Sequence, residues 1–245
     1  MKVPFFMFHS IGESGAPPGY RFPMEEFRTF LAYLREEGVR TPTLKDYLSE
    51  RGEGASARAA VLLTFDDGWR DNLSVVWPLL EEFGFRASFF PSVSLVETEG
   101  IMGWEDLRRL AAAGMEIGSH GMSHDLLAGQ SEAGLLRELQ ESKRRLEGEL
   151  GIEAAFFSLP RGYLPPELPA LARRAGYRGL CVSRAGYNSG AADPFRWRRF
   201  PVRSSMTAAD LRAIVEGRGA RLAKIFIGEK VREALRIRHR WRWLR

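Results

Sequence analysis

The feature that most constrains this chain is an alternation, kept up over most of its length, between short β-rich apolar runs and longer amphipathic stretches that stop at glycine. Val3–Phe8 reads as a strand. Met24–Glu37 reads as a helix, with Phe27, Phe30, Leu31 and Leu34 at helical spacing and Gly38 as its stop. Leu44–Ser49 reads as a short helix and Arg51–Arg58 as a glycine-containing linker. The pattern then repeats. Strands are expected at Ala59–Phe65, Ala87–Phe90, Met115–Gly118, Ala154–Ser158 and Gly179–Val182, and a further one at Trp197–Val202. Helices are expected at Leu73–Phe83, Trp104–Ala113, Glu132–Leu150, Glu167–Ala175 and Ala208–Glu216.

Six or seven strands separated by helices mean repeated βα units, hence a parallel sheet. The fold class expected is α/β, with a (β/α) barrel favoured by strand count and chain length and an open doubly wound sheet as the alternative. No G-x-G-x-x-G follows a strand and no P-loop is present, which removes the usual nucleotide-binding readings.

Charge excludes a second class. The net charge of +5 is local: Lys230 to Arg245 hold seven basic residues and one acid, a balance of +6 that leaves −1 for residues 1–229. A basic tail on a near-neutral body does not describe a nucleic-acid-binding domain. A peripheral contact between that tail, with Trp241 and Trp243, and an anionic membrane surface or phosphate-bearing carrier is one reading. A solvated or partly packed tail is the other. The single cysteine, Cys181, permits no intrachain disulfide and reads as a buried thiol. With no signal-type segment and no apolar run of membrane-spanning length, the chain is expected in the cytoplasm.

In α/β folds chemistry collects where strands end. Here those positions are rich in titratable groups: His9 after the first strand, Asp66-Asp67-Gly68 after the second, Ser119-His120 with His124 after the fourth, and Pro160-Arg161-Gly162 after the fifth. Adjacent side chains on a strand point in opposite directions, so Asp66 and Asp67 are expected to do different work. One can bind a metal while the other faces a substrate water. Taken alone, Asp-Asp-Gly is also ordinary turn chemistry. His120 and His124 have i, i+4 spacing and, with a carboxylate, would make a metal site with open positions. Taken alone, without the neighbouring Asp pair, they read equally as surface histidines. His9 ends an apolar strand and is either a core histidine or a general acid or base. Trp104 reads first as helix-entry packing, with stacking on a sugar as the alternative, and Met102, Met115 and Met122 read as packing residues. Tyr187-Asn188 and Asp193–Arg199 form a polar connection of either solvated or binding character.

At these residues the sequence resembles the polysaccharide deacetylase family, carbohydrate esterases with a NodB-type domain. Thr64-Phe65-Asp66-Asp67-Gly68 resembles its first motif, His120-Gly121-Met122-Ser123-His124 its second and Phe157-Ser158-Leu159-Pro160-Arg161-Gly162 its third. The opening Phe8-His9-Ser10-Ile11, with the stretch Arg21–Leu48, resembles the circularly permuted branch that deacetylates poly-N-acetylglucosamine. The resemblance spans about residues 3 to 202 and implies a deformed (β/α)7-type barrel, with a catalytic domain at 1–217 and a basic C-terminal tail at 218–245. It implies a metal-dependent hydrolase removing an N-acetyl group from an amino sugar in a polysaccharide or carrier-linked glycan. A deformylase or amidase on a lipid-linked sugar or small amide, or a non-catalytic sugar-binding protein, are the alternatives. Asp67, His120 and His124 would bind the metal, zinc by default and cobalt or nickel otherwise. Asp66 would be the general base, His9 the acid and the Arg161 backbone N–H an oxyanion donor.

Two positions depart from the family pattern. Ser158 stands where other branches carry an arginine that orients the base, a task the Arg161 side chain is one candidate to take over. Gly121 stands where serine or threonine is usual. Arg199 resembles a recurrent family position.

Overall fold

The computed structural model describes residues 2–12, 16–51 and 59–243, with side chains through Arg232. Eleven strands are described: β1 (Val3–Phe8), β2 (Ser10–Ile11), β3 (Arg21–Phe22), β4 (Leu62–Asp67), β5 (Ser88–Pro91), β6 (Glu116–Ile117), β7 (Phe156–Ser158), β8 (Gly179–Val182), β9 (Tyr187–Asn188), β10 (Trp197–Arg198) and β11 (Phe200–Pro201). The helices are α1 (Met24–Glu36), α2 (Leu44–Glu50), α3 (Trp77–Phe83), α4 (Trp104–Ala112), α5 (Glu132–Leu150), α6 (Leu168–Arg174), α7 (Ala208–Glu216) and α8 (Ala220–Trp243). A turn of π-helix at Asn72–Val76 precedes α3.

The strands wrap into a parallel barrel. One sheet runs β11-β1-β4-β5-β6 and a second β10-β8-β7, all parallel. Two links join them. A parallel bridge between Ser119 and Phe157 connects β6 to β7. The chain from Trp197 to Pro201 pairs first with β8, through Trp197 and Arg198, and then with β1, through Phe200 and Pro201. One five-residue stretch thus closes the ring, which the open doubly wound alternative does not have. Short strands and a single-bridge seam make the barrel irregular.

Strand alternation divides the wall into two faces. On β4, Leu63 and Phe65 face outward into the main core, where they meet Phe6, Phe8, Phe27, Phe30 and Leu31. Leu62 faces inward with Phe5, Phe90, Phe156, Cys181 and Trp197, the apolar lower half of the barrel. Trp197 stacks on Phe156 at 5.7 Å and meets Phe5 edge-on at 5.5 Å. Truncating an aromatic ring buried this completely costs about 3–5 kcal/mol. The next inward positions toward the strand C-termini are polar: Thr64, Asp66, Ser158 and Arg199, all buried. The barrel is therefore an apolar plug beneath a charged upper layer.

Helix ends follow local chemistry. Thr43 caps α2 with a reciprocal bond to Asp46, Ser131 caps α5, and left-handed Gly84, Gly151 and Gly217 end α3, α5 and α7. Trp104 and Met102 pack in the core and Met122 lies against it, while burial pushes the Cys181 thiol up to about 12. The N-terminal part of α8 docks on the body: Leu222 is buried, and Phe226 packs against Tyr187 and Phe200. Most of the linker at 51–58 lies outside the described residues. So do the side chains of the tail after Arg232, on which the membrane-contact reading depends. Among the described residues no helix is long and apolar enough to cross a membrane.

Candidate metal and hydrolytic centre

Six residues singled out in the sequence line one cavity of about 550 Å³ at the C-terminal end of the barrel: His9, Asp66, Asp67, His120, His124 and Arg161. The strand ends bring them there. His9 follows β1, Asp66 and Asp67 end β4, and His120 and His124 lie on the loop after β6.

Asp66 and Asp67 do diverge. Asp66 points into the barrel. Asp67 takes a left-handed backbone, φ 75°, and its Oδ1 lies 3.3 Å from His120 Nε2 and 3.1 Å from His124 Nε2. Trp69 Nε1 donates to the other carboxylate oxygen at 3.0 Å and fixes its rotation. Ligand atoms of Asp67, His120 and His124 all lie within 4.8 Å of one another. The donor set suits a divalent cation. His120 Nδ1 is 2.9 Å from the Ser158 carbonyl, so it carries the proton and leaves Nε2 as a lone pair directed at Asp67.

Left-handed backbone at non-glycine residues costs on the order of 1 kcal/mol or more each. Of the four such residues among those described, three are Asp67, His124 and Arg161. Next to Asp67, Gly68 is required: at φ 88°, an added Cβ would meet the Pro91 Cβ at 3.0 Å.

The His120–His124 segment is a loop, not a helix. Glu138 on α5 holds it, accepting from the backbone N–H of Met122 at 2.7 Å and of Ser123 at 3.2 Å, and from Ser123 Oγ at 2.7 Å. Gly121 sits at φ 84° against that carboxylate, and its N–H donates to Ser119 Oγ at 3.1 Å. The hydroxyl missing at position 121 thus leaves the loop tethered by Ser119 and Glu138. Sequence reasoning did not find Glu138, which is identifiable only once α5 packs beside the loop.

Arg199 resolves the departure at Ser158, and Arg161 is not the residue that orients Asp66. The Arg199 guanidinium grips Asp66 with both nitrogens, Nη1 to Oδ1 at 2.7 Å and Nη2 to Oδ2 at 2.8 Å. Ser158 Oγ lies 3.0 Å from each carboxylate oxygen and accepts from Arg199 Nη2 at 2.7 Å, while Arg199 Nη1 also donates to Thr64 Oγ1. Arg199 is fully buried, so this part of the late connection is no solvated loop. Burial alone would raise the Asp66 pKa. Arg199, with His120 and His9, outweighs it and holds the carboxyl below its ordinary value.

His9 lines the cavity with its ring 4.6 Å from that of Tyr20. Its Nδ1 is buried with no hydrogen-bond partner among the described residues. Asn72 Nδ2 donates to its carbonyl at 2.9 Å. Burial lowers its pKa, against the pull of Asp67 and Asp66. Arg161 lies in the tight turn Pro160–Gly162 with φ 56°.

Comparison with known proteins agrees with this geometry. YxkH of Bacillus subtilis (strain 168), named for the polysaccharide deacetylases, is 26% identical over 216 residues, 88% of this chain and 76% of that protein. The Streptococcus pyogenes deacetylase PplD, solved with acetate, superposes with TM-score 0.79 at 21% identity over 86% of this chain and 97% of its own. IcaB from Ammonifex degensii superposes with TM-score 0.73 at 25% identity over 88% and 96%. The polysaccharide deacetylase family model matches residues 53–180, more than half the chain, and the motifs it spans are those gathered around this cavity: the chain belongs to the polysaccharide deacetylase family.

Proposed function

We propose that the chain is a metal-dependent amidase that removes the N-acetyl group of an amino sugar in a glycan, as in the permuted branch its N-terminal His9 motif resembles. The observation that carries this reading is the meeting of a His₂-carboxylate donor set with an independently oriented carboxylate in one cavity.

A divalent ion at Asp67, His120 and His124, zinc by default and cobalt or nickel as alternatives, would polarise the amide carbonyl and make hydroxide accessible near neutral pH. The remaining work falls to the chain's own groups. Asp66 is kept ionised and aimed by Arg199 and Ser158, and so is ready to take a proton from water. An amine is a poor leaving group until protonated. His9, on the same cavity and with its pKa lowered by burial, is a strong donor once it carries a proton. The Arg161 backbone N–H is the candidate to hold charge developing on the carbonyl oxygen. Nearby, Tyr20 and Trp69 offer aromatic surface for a sugar ring.

The test is to strip the purified protein with chelator, restore zinc, cobalt or nickel, and measure free amine released from N-acetylglucosamine oligomers. Release should track about one ion per chain. Well-folded protein that takes up none of these metals would defeat the reading. Metal binding without amine release from any N-acetylated amino sugar would remove the substrate assignment alone.

A further inference from the structure

A second cavity, of about 460 Å³, opens beside the catalytic one. Ser183, at the end of β8, lines both. The two also share a turn: Arg161 faces the catalytic cavity, and Gly162 and Tyr163, next in sequence, face the other. The two cavities therefore adjoin across Ser183 and this turn.

The groove is basic. Arg184, Arg196, Arg198, Lys230 and Arg232 line it against one acid, Glu229. That acid is already engaged, by Arg232 at 2.6 Å and by Arg203 at 3.4 Å. Arg196 reaches Asp193 only at 3.8 Å. Among the described residues neither Arg198 nor Lys230 has a carboxylate partner within ion-pair distance, and both are exposed. The Arg198 stem is nonetheless held in place. Asn188 pins its backbone, accepting from its N–H at 3.0 Å and donating to its carbonyl at 2.8 Å. At Gly186 an added Cβ would sit 2.6 Å from Arg198 Cδ, so the missing side chain is what lets the stem lie there. An ordinary solvated surface mixes signs. This one concentrates cations from the segment after β8, from β10 and the residue before it, and from α8 in a concavity beside the catalytic cavity.

We propose that this groove is a subsite for a phosphate group carried by the substrate, so that the amino sugar whose N-acyl group enters the catalytic cavity is a phosphate ester or diphosphate. Clustered guanidinium and ammonium groups match a multiply charged phosphate better than a single carboxylate. The inference rests on the amidase reading for the identity of the sugar. The groove's affinity for phosphate stands apart from it.

The experiment has one arm for each. Binding of inorganic pyrophosphate is measured by calorimetry on the metal-loaded full chain, for wild type and for Arg198→Gln/Lys230→Gln, whose fold and metal content are checked first. The double variant should bind about tenfold or more weakly, and wild-type affinity should fall as salt rises. If the pair perturbs folding, the single variants Arg198→Gln and Lys230→Gln replace it. In the second arm kcat/KM is compared for N-acetylglucosamine 1-phosphate and its neutral methyl glycoside. Wild type should prefer the phosphate, and the variant should lose most of that preference through KM. N-acetylated oligosaccharides bearing glucuronate should gain less than the phosphate ester. Equal pyrophosphate binding by wild type and variants would overturn the subsite. Pyrophosphate that binds but does not compete with substrate would overturn its role in substrate selection. A preference for glucuronate would replace phosphate by carboxylate. Absence of any hydrolysis, with pyrophosphate binding intact, would indict the amidase reading and not the groove.

Discussion

Arg199→Met is the sharpest perturbation this architecture offers. Methionine keeps an unbranched apolar stem but is shorter than arginine and donates nothing. Arg199 is 0% and Asp66 1% exposed, and two short hydrogen bonds join them. Removing one partner leaves a buried carboxylate with Ser158 Oγ as its remaining hydrogen-bond donor among the described residues. Breaking a buried pair in this way costs about 3–5 kcal/mol. At ~2–4 °C per kcal/mol for a chain of this size, the midpoint of thermal unfolding should fall by some 6–20 °C. The double variant Asp66→Asn/Arg199→Met removes both charges and should lose less than Arg199→Met alone.

The pH dependence has a definite sign. In wild type the folded pKa of Asp66 is depressed, so the pair's stabilisation is present above the unfolded carboxylate value and is lost as pH falls through the folded one. In Arg199→Met burial is unopposed by the guanidinium, the carboxyl rises above its ordinary value, and acidification relieves the variant. The gap between wild type and variant should therefore be widest near pH 7 and close toward pH 4. Thermal and urea unfolding followed by circular dichroism on chelated protein, so that metal affinity does not enter, reads all three. A loss under about 1 kcal/mol at pH 7, or equal losses in single and double variants, refutes the claim that Arg199 exists to accommodate the Asp66 charge.

Asp66→Asn should keep the metal and lose several orders of magnitude in turnover, whereas Asp67→Asn should lose the metal as well. Equal metal loss in the two, by elemental analysis, would dissolve the division of labour. His9→Ala should bind metal normally while turnover falls about 10²–10⁴-fold, with a smaller loss on substrates whose leaving group needs less protonation; an undiminished rate would strip His9 of the acid role. Glu116, under the barrel, accepts from Ser88 Oγ and from the N–H groups of Leu44 and Lys45 at the start of α2, and burial raises its pKa to about 7. A raised carboxyl binds more protons folded than unfolded, so wild-type stability should decline as pH rises from about 4.5 to 7, and Glu116→Gln should flatten that slope. A slope unchanged by the substitution assigns it to other groups.

Much of this was legible in the sequence because the informative residues sit where periodicity changes. Apolar runs ending in His9, Asp66-Asp67, His120 and Pro160 locate both the strands and the rim of the barrel. The misreadings have physical causes. The strand expected at Ala59–Phe65 stops short of the observed Leu62–Asp67 because Asp-Asp-Gly reads as turn chemistry. In the folded chain Asp66 and Asp67 stay in the ladder, opposite Phe90 and Pro91, and β4 runs on through them. Trp197–Val202 is one extended segment whose pairing switches partner midway, which no local pattern announces. Distance hides Glu138 and the partner of Arg199. Arg199 lies 133 residues from the carboxylate it holds. One signal was available: along a strand, Trp197 and Arg199 fall on the same face, so an inward Trp197 brings a charged neighbour into the barrel, where it must find a partner.

That face links folding to chemistry. The segment 197–201 closes the ring by pairing with β8 and β1, and the same segment delivers Arg199 to Asp66. An open sheet would leave Asp66 buried against Ser158 alone, with its pKa pushed up by burial and no guanidinium to oppose it. The depressed pKa of Asp66 would be lost together with the closure. The same segment carries Arg198 on the opposite face, outward into the basic groove. Strand alternation thus assigns neighbouring arginines to different tasks: Arg199 sets the ionisation of a buried group, and Arg198 meets whatever charge the substrate brings. A one-residue slip that moved Arg198 into the place of Trp197 would bury a cation among Phe5, Phe156 and Cys181 and turn Arg199 outward, away from Asp66. The pairings that fix that register, Trp197 with Cys181 and Phe200 with Phe6, are therefore as necessary to the Arg199–Asp66 ion pair as the two side chains themselves.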